Sequence, residues 1–254
     1  MEPMSDLKRQ VDEANAVRAL LCDSVQQTTP PGLPSRVATV FGALYFQGVS
    51  GEPARPARWG EMANKVLGDV VDPHIGFQLQ QCGFLDALLI AFESEPRTNP
   101  GTDPGDLYIA GQSFEFSIGD SWLLFLYEVL RTFRRSKRFA DLPASSQSAF
   151  KTIFRLVALA RIPLAKHEAQ GTRTNGKKGE ADTFVFNAPI HIFHDSLGTA
   201  GWRVFDQVTG KLVDILRRPL ADALLLWAEG KLCDEALAAV TAPGSRELIR
   251  ITKA

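Results

Sequence analysis

Arg161 and His167 are six positions apart in the segment RIPLAKH, and their side chains offer complementary chemistry toward a phosphodiester. The guanidinium of an arginine keeps its proton and can bind two phosphate oxygens at once. The imidazole of a histidine takes up or releases a proton near neutral pH, so it can serve as a general base or acid. The pair therefore predicts phosphodiester chemistry in which a fixed cation holds the phosphate and the histidine moves a proton.

A glutamate and several arginines precede this pair on a helix predicted from about Asp120 to Arg138. Glu128, Arg131 and Arg135 follow one another at positions i, i+3 and i+7, which places them on a single polar stripe of that helix. We expect these arginines, together with Lys166, to lie beside the backbone of a substrate.

Arg161 falls on the apolar side of the following helix, in line with Phe150, Ile153 and Val157. A charged group on an inward face needs a partner, because an unpaired buried charge is very costly. We therefore expect Arg161 to be mostly buried and bonded to an acidic side chain, with Glu128 as the obvious candidate.

Pro163 separates the arginine from the histidine and predicts a kink in their helix, because proline removes a backbone donor and clashes with the preceding turn. On an ideal helix Arg161 and His167 would point about 120° apart. Either the kink or a partner subunit must bring them together. Because the two side chains diverge on an ideal helix, we expect a homodimer that completes the site across its two-fold axis.

The segment 161–167 resembles the Arg-x(4–6)-His motif of HEPN-domain ribonucleases, and the resemblance extends over about residues 117–171. It implies a helical bundle in which the motif comes late and in which two subunits line one cleft. It also implies a metal-independent endoribonuclease of the toxin or phage-defence type. Arg161, His167 and Glu128 would then be catalytic, and Lys166, Arg131 and Arg135 would bind RNA.

Two other functions remain open on the same residues. The bundle could be a non-catalytic interaction protein in which Arg161 and Glu128 form a structural pair. It could also be a small-ligand sensor with that pair at the floor of a pocket. A nuclease requires Arg161 and His167 beside a common phosphate-sized space, an interaction protein buries them in an internal network, and a sensor has a pocket of at least roughly 300 Å³.

The elements that must position these residues are mainly helical. Apolar residues recur at helical spacing in six segments, and a short strand or extended segment is predicted at Leu107–Ile118. The Gly- and Lys-rich segment Gly171–Asp182 is predicted to be a mobile loop, and Gly48–Arg58 a loop as well. The predicted helices are Ser5–Gln26, Arg36–Gln47, Trp59–Val70, Ile75–Glu93, Asp120–Arg138 and Gln147–Glu168.

The pattern changes after residue 170. Short β-like runs are predicted at Thr183–Asn187 and Ile190–His194, and a hairpin joins Trp202–Phe205 to Lys211–Ile215 through Gly210. Pro219 opens a final helix that ends at Gly230, followed by a short one. The fold class is therefore α+β and predominantly α. A helical bundle over residues 1–170 is followed by an extension of β-hairpins and a closing helix over residues 171–254, packed on the bundle as one unit.

Composition limits the possible partners and cofactors. The net charge of −1 over 254 residues gives no global attraction to nucleic acid, so RNA would need a local patch such as Arg131–Arg138. The three cysteines are far apart and neither signal-peptide nor membrane-spanning patterns stand out, so we expect a cytoplasmic protein. No metal and no cofactor is predicted: His191 and Asp195 could share a strand face but lack a third ligand, so His191 and His194 are interpreted as exposed strand histidines.

Overall fold

A computed structural model of the chain describes residues 33–67, 73–94, 106–166, 190–206 and 208–242. The chain divides into two compact units, Met1–Gly42 and Ala43–Ala254. All contacts discussed below belong to the second unit.

Helices dominate, and a small antiparallel sheet follows them, which confirms the predicted α+β fold that is mostly α. The sheet has the strand order β1-β2-β3-β4. A 3₁₀ turn, Asp195–Leu197, joins its first two strands. The helices are α1 (Leu33–Gly51), α2 (Arg55–Leu67), α3 (Pro73–Glu93), α4 (Asp106–Arg134), α5 (Lys137–Ala140), α6 (Ala144–Lys166), α7 (Arg217–Ala228) and α8 (Asp234–Ala239), and the strands are β1 (Ile190–His194), β2 (Thr199–Asp206), β3 (Lys211–Leu216) and β4 (Thr241–Ala242).

Aromatic side chains from three helices form the centre of the core. Phe133 of α4 meets Phe150 of α6 with ring centroids 5.3 Å apart, and Phe150 meets Trp227 of α7 at 5.0 Å. The indole N–H of Trp227 donates to the carbonyl of Ser146 at 3.0 Å, so the buried ring leaves no unsatisfied donor. These contacts hold α4, α6 and α7 together in the bundle.

The predicted hairpin around Gly210 is confirmed. Strands β2 and β3 pair in antiparallel register, and Gly210 has φ +66°, a conformation that glycine adopts without strain. Trp202 of β2 is buried among the bundle helices, so this strand packs against the core. A Cβ on Gly201 would lie 2.4 Å from the carbonyl oxygen of Ile215, so only glycine fits at that crossing of β2 and β3.

The prediction of a strand at Leu107–Ile118 is wrong, because α4 already begins at Asp106. Glu115, Ile118 and Trp122 are all buried at spacings of three and four. They extend the inward stripe of the helix that follows, and packing of that stripe outweighs the local alternation.

The loop predicted at Gly48–Arg58 is much shorter, since α1 continues to Gly51 and α2 begins at Arg55. Glycine at position 48 permits close packing rather than a turn. A Cβ there would lie 1.9 Å from the carbonyl oxygen of Ala87. Pro56 suits the first turn of α2, where a missing backbone donor costs nothing.

The helix predicted to end at Arg138 stops at Arg134. The hydroxyl of Ser136 accepts a hydrogen bond from the backbone N–H of Phe139 at 3.2 Å and caps the short helix α5. The next helix, α6, runs through Pro163 to Lys166. The predictions for Ser5–Gln26, Gly171–Asp182 and Thr183–Asn187, and the boundary near residue 170, lie outside the described residues.

One described helix, His74–Glu93, is long and apolar enough to cross a membrane by length and composition alone. Half of its most apolar window is buried inside the fold, and core helices pass the same test. Two carboxylates within it, Asp86 and Glu93, are buried and paired with Arg217.

Candidate functional site

Glu128 on α4 lies between two arginines, and the three side chains form what we call the arginine cluster. Arg131, one turn later on α4, donates to Glu128 Oε2 at 2.6 Å. Arg161 of α6 donates from Nη2 to Glu128 Oε1 at 3.2 Å. The predicted pairing of Arg161 with Glu128 is therefore present, and Arg131 shares the same carboxylate.

The arginine cluster is only partly withdrawn from solvent. The side chain of Arg161 is 19% exposed and that of Glu128 31% exposed. Its surroundings are aromatic, because the guanidinium of Arg161 lies over the ring of Tyr127 at 4.5 Å and Tyr127 stacks on Phe154 at 5.5 Å. The guanidinium of Arg161 is thus packed against an aromatic ring while about a fifth of the side chain stays exposed to solvent.

Two donors in the cluster are unsatisfied. The Nε atoms of Arg131 and Arg161 are buried, and neither finds an acceptor within the part of the chain that the structure describes. A single carboxylate cannot satisfy two planar forks that each carry five N–H donors. The cluster carries one net positive charge and spare donors, so it has the chemistry to accept an anion such as a phosphate group.

The other predicted site residues are placed less completely. Arg135 is exposed and follows the last residue of α4. Lys166 is the last residue of α6, but its side chain lies outside the described part of the structure. His167 is outside it as well, so the distance between His167 and Arg161 stays a prediction.

A second group of charges is buried where α2, α3 and α7 meet, and we call it the ion network: Arg55, Asp86, Glu93 and Arg217. Arg217 has no exposed side-chain surface and forks onto Glu93, with Nε donating to Oε1 at 2.9 Å and Nη2 donating to Oε2. Its Nη1 donates to Asp86. Thr199 of β2 adds a donor to Glu93 at 2.8 Å.

Asp86 is the centre of the ion network. Besides Arg217, it accepts from Arg55 Nε at 2.5 Å and from Trp59 Nε1 at 2.8 Å. Burial acts to raise the pKa of Asp86, but the charges of Arg217 and Arg55 and the hydrogen bonds from Arg55 and Trp59 lower this pKa below its usual value. The same burial, with the charge of Asp86, raises the pKa of the Cys82 thiol, so Cys82 is an inert core residue.

The ion network fits a structural role because each of its charges has partners of opposite sign, and Arg55 extends the network through Nη1 to Glu52 at 2.7 Å and to Asp222 at 2.6 Å. A shallow surface cleft reaches its edge beside Glu52, Arg55 and Trp59 and is far too small to hold a ligand. This cleft lies away from Arg161 and Glu128, where the sensor hypothesis placed its pocket. The ion network was not predicted from the sequence. The feature that could have indicated it is the presence of Asp86 and Glu93 within the otherwise apolar sequence of α3.

A third polar group lies where the sheet meets α4. His191 of β1 approaches Asp120 through Nε2, at 2.9 Å from Oδ1 and 3.0 Å from Oδ2. Trp202 Nε1 donates to the same Oδ1 at 2.9 Å, and Phe116 stacks on the imidazole at 4.7 Å. The interpretation of His191 as a simple exposed strand histidine is therefore wrong, since the fold gives it a carboxylate partner that is distant in the sequence.

Among the described residues, no group of three or more His, Cys, Asp or Glu side chains could hold a metal ion. The arginine cluster and the His191–Asp120 pair are therefore the polar groups of the described residues that could take part in chemistry. Comparison of the chain with protein-family models, with curated proteins and with solved structures finds no match.

Proposed function

We propose that this chain is a cytoplasmic, metal-independent endoribonuclease of the toxin or phage-defence type, with Arg161, His167 and Glu128 as catalytic residues. The observation that supports this most directly is the arginine cluster. Two guanidinium groups converge on one partly exposed carboxylate, and their buried Nε–H groups lack acceptors among the described residues. A phosphate entering beside Glu128 would give these donors the oxygens they need.

The local charge supports RNA as the anion. The chain as a whole has a net charge of −1, but Arg131 of α4 and Arg161 of α6 both bind the single negative charge of Glu128. Arg134 is exposed and lies over the ring of Phe154 at 5.0 Å. A local basic patch of this kind provides the sequence-independent part of nucleic-acid binding.

The chemistry proposed at this site needs no metal. The 2′-hydroxyl of RNA attacks the adjacent phosphorus and the 5′-oxygen leaves, so one proton must be removed and another supplied. His167 would transfer one of these protons, and Arg161 would neutralise charge that develops on the phosphate oxygens. The products would be 2′,3′-cyclic phosphate and 5′-hydroxyl ends, and a homodimer would bring a second copy of the motif to the cleft.

Incubation of the purified protein with mixed RNA in EDTA tests this function. We expect wild-type cleavage with 2′,3′-cyclic phosphate ends, loss of cleavage in His167→Ala, and a strong decrease in Arg161→Ala. Lys151→Ala is the matched control, because Lys151 is an exposed cation on the same helix, outside the arginine cluster. Cleavage that survives in His167→Ala, or that requires a metal ion, would remove the assignment.

One observation favours the interaction-protein alternative. Arg161 is already engaged by Glu128 and by the ring of Tyr127, as expected of a structural pair. If the wild type neither cleaves nor binds RNA while Arg161→Ala lowers the melting temperature, this second function takes precedence.

A further inference from the structure

We propose that Glu128 is a specificity-determining residue of the arginine cluster. It makes the cluster bind the singly charged phosphodiester inside an RNA strand in preference to the doubly charged phosphate at a strand end. This inference rests on the proposed function, because it takes the cluster as the place where RNA binds. It involves only Glu128, Arg131 and Arg161, whose side chains are in direct contact.

Glu128 is held in the middle of the cluster. Its Oε2 accepts a hydrogen bond from Nη2 of Arg131 at 2.6 Å, and its Oε1 accepts one from Nη2 of Arg161 at 3.2 Å. Each carboxylate oxygen thus binds a different arginine, one on α4 and the other on α6. Because the carboxylate stands between the two guanidinium groups, an anion that binds both arginines must come close to it.

Each arginine keeps a donor that Glu128 does not use. The Nε atoms of Arg131 and Arg161 are buried and have no acceptor within the described part of the chain. Since these atoms are buried, only an anion that enters between the guanidinium groups and loses water there can reach them. A phosphodiester has two non-bridging oxygens, so it can offer one acceptor to each Nε–H group.

The net charge of the cluster decides which anion gains from entering it. Two guanidinium groups and one carboxylate leave a single positive charge. Attraction to that charge grows in proportion to the charge of the anion, whereas the cost of removing the anion from water grows with the square of its charge. A second negative charge doubles the attraction but raises the cost of desolvation about fourfold. The cluster therefore favours a singly charged anion.

The carboxylate of Glu128 strengthens this preference at short range. A carboxylate only accepts hydrogen bonds, so it repels a phosphate oxygen instead of binding it. A terminal phosphate carries a charge of about −1.5 to −2 at pH 7, so this repulsion is up to about twice that felt by a diester. Replacing Glu128 by glutamine would remove the repulsion and raise the net charge of the cluster to two, which favours the doubly charged anion.

Selection of this kind suits the proposed reaction. The bond that is cleaved belongs to a diester within the strand, and the 2′,3′-cyclic phosphate product is itself a singly charged diester. Terminal phosphates of other RNA molecules and free inorganic phosphate would then compete weakly for the cluster. Glu128 would in this way direct cleavage to the interior of RNA strands.

NMR titration of the arginine side chains tests this inference with two probes that differ by one charge. Dimethyl phosphate is a singly charged diester, whereas methyl phosphate is doubly charged at pH 8, because its second proton dissociates near pH 6. We expect dimethyl phosphate to shift the Nε–H signals of Arg131 and Arg161 and to bind the wild type about tenfold more tightly than methyl phosphate. In Glu128→Gln we expect this preference to reverse.

Asp141→Asn is the matched control, because it also removes one negative charge from the chain, but from an exposed position outside the arginine cluster. It should keep the wild-type preference. Equal binding of the two probes by the wild type would overturn the inference without any variant. Nε–H signals that neither probe shifts, a preference that persists in Glu128→Gln, or a reversed preference in Asp141→Asn would overturn it as well.

RNA cleavage in EDTA by the same protein preparations separates this inference from the proposed function. A wild type that prefers dimethyl phosphate but leaves RNA intact would refute the ribonuclease function and support the charge selection. A wild type that cleaves RNA but binds both probes equally would refute the charge selection alone.

Discussion

Arg217 donates a hydrogen bond to Asp86 with both side chains completely buried, although 131 positions separate them in the sequence. Taking two such charges out of water is expensive, and only their mutual attraction and their further hydrogen bonds offset the cost. Removal of any one member of the ion network should therefore destabilise the folded protein, because it leaves a buried charge without a partner.

Arg217→Met should destabilise the protein by about 3–5 kcal/mol, because Asp86 and Glu93 would be left as buried charges without their main partner. The free energy of unfolding in urea measures this. Arg218→Ala is the control, since the neighbouring Arg218 is one third exposed and pairs with Glu52 at the surface. Its loss should cost less than about 1 kcal/mol, and equal costs in the two variants would contradict the structural role of the network.

The stability of the protein should fall in acid partly because of Asp86. The pKa of this carboxyl is lower in the folded than in the unfolded protein, so its contribution is fully present above the ordinary aspartate pKa of about 3.9. The contribution is lost as the pH falls through the folded value. Urea unfolding between about pH 6 and pH 2 should show a smaller decrease for Asp86→Asn than for wild type. Asp141→Asn, at an exposed position, should keep the wild-type slope.

Gly48→Ala should destabilise the fold by about 1–3 kcal/mol, because the added methyl group would collide with the backbone of Ala87. Gly60→Ala tests whether the destabilisation expected for Gly48→Ala comes from packing. A Cβ at Gly60 meets nothing within 4 Å, and alanine in a helix is favoured over glycine by about 0.5–1 kcal/mol. We therefore expect the melting temperature to fall in Gly48→Ala and to rise in Gly60→Ala.

Arg161→Ala should cost only about 1–2 kcal/mol, since its partner Glu128 keeps the 2.6 Å bond to Arg131 and remains partly hydrated. If Arg161→Ala stays folded under the assay conditions but loses most of its RNA cleavage, the lost activity would indicate a direct role of Arg161 in the reaction. A decrease of about 3 kcal/mol or more in the free energy of unfolding of Arg161→Ala would instead favour the interaction-protein alternative.

Alkylation should distinguish two of the cysteines. Cys233 is exposed, whereas Cys82 is buried with a raised thiol pKa. We expect iodoacetamide to modify Cys233 in the native protein and to reach Cys82 only after unfolding, as followed by peptide mass spectrometry. Early modification of Cys82 would mean that α3 opens far more readily than its packing suggests.

The Arg161–Glu128 pair could be predicted from the sequence because both partners lie on regular helices, whereas the sharing of Glu128 with Arg131 appears only in the structure. Helical spacing placed Arg161 on an inward stripe, and the nearest acid on the preceding helix was Glu128. The hairpin around Gly210 was predictable for a similar reason, since turn chemistry is local.

The ion network and the His191–Asp120 pair could not be predicted in that way. Their members are brought together by contacts between elements that are far apart in the chain, with 71 positions between His191 and Asp120. The prediction of a strand at the beginning of α4 is wrong because apolar and polar residues alternate locally in Leu107–Ile118. The buried stripe through Glu115 and Trp122 becomes visible only over the length of the whole helix.

The ion network also constrains how this chain can be made. A ribosome adds about 5–20 residues per second, so roughly 7 to 26 seconds pass between the synthesis of Asp86 and that of Arg217, 131 positions later. During that interval Asp86 can already pair with Arg55, but Glu93 lacks the arginine that it shares with Asp86 in the folded protein. We therefore expect the end of α3 that carries Glu93 to stay exposed to water, and open to chaperones and proteases, until Arg217 has emerged.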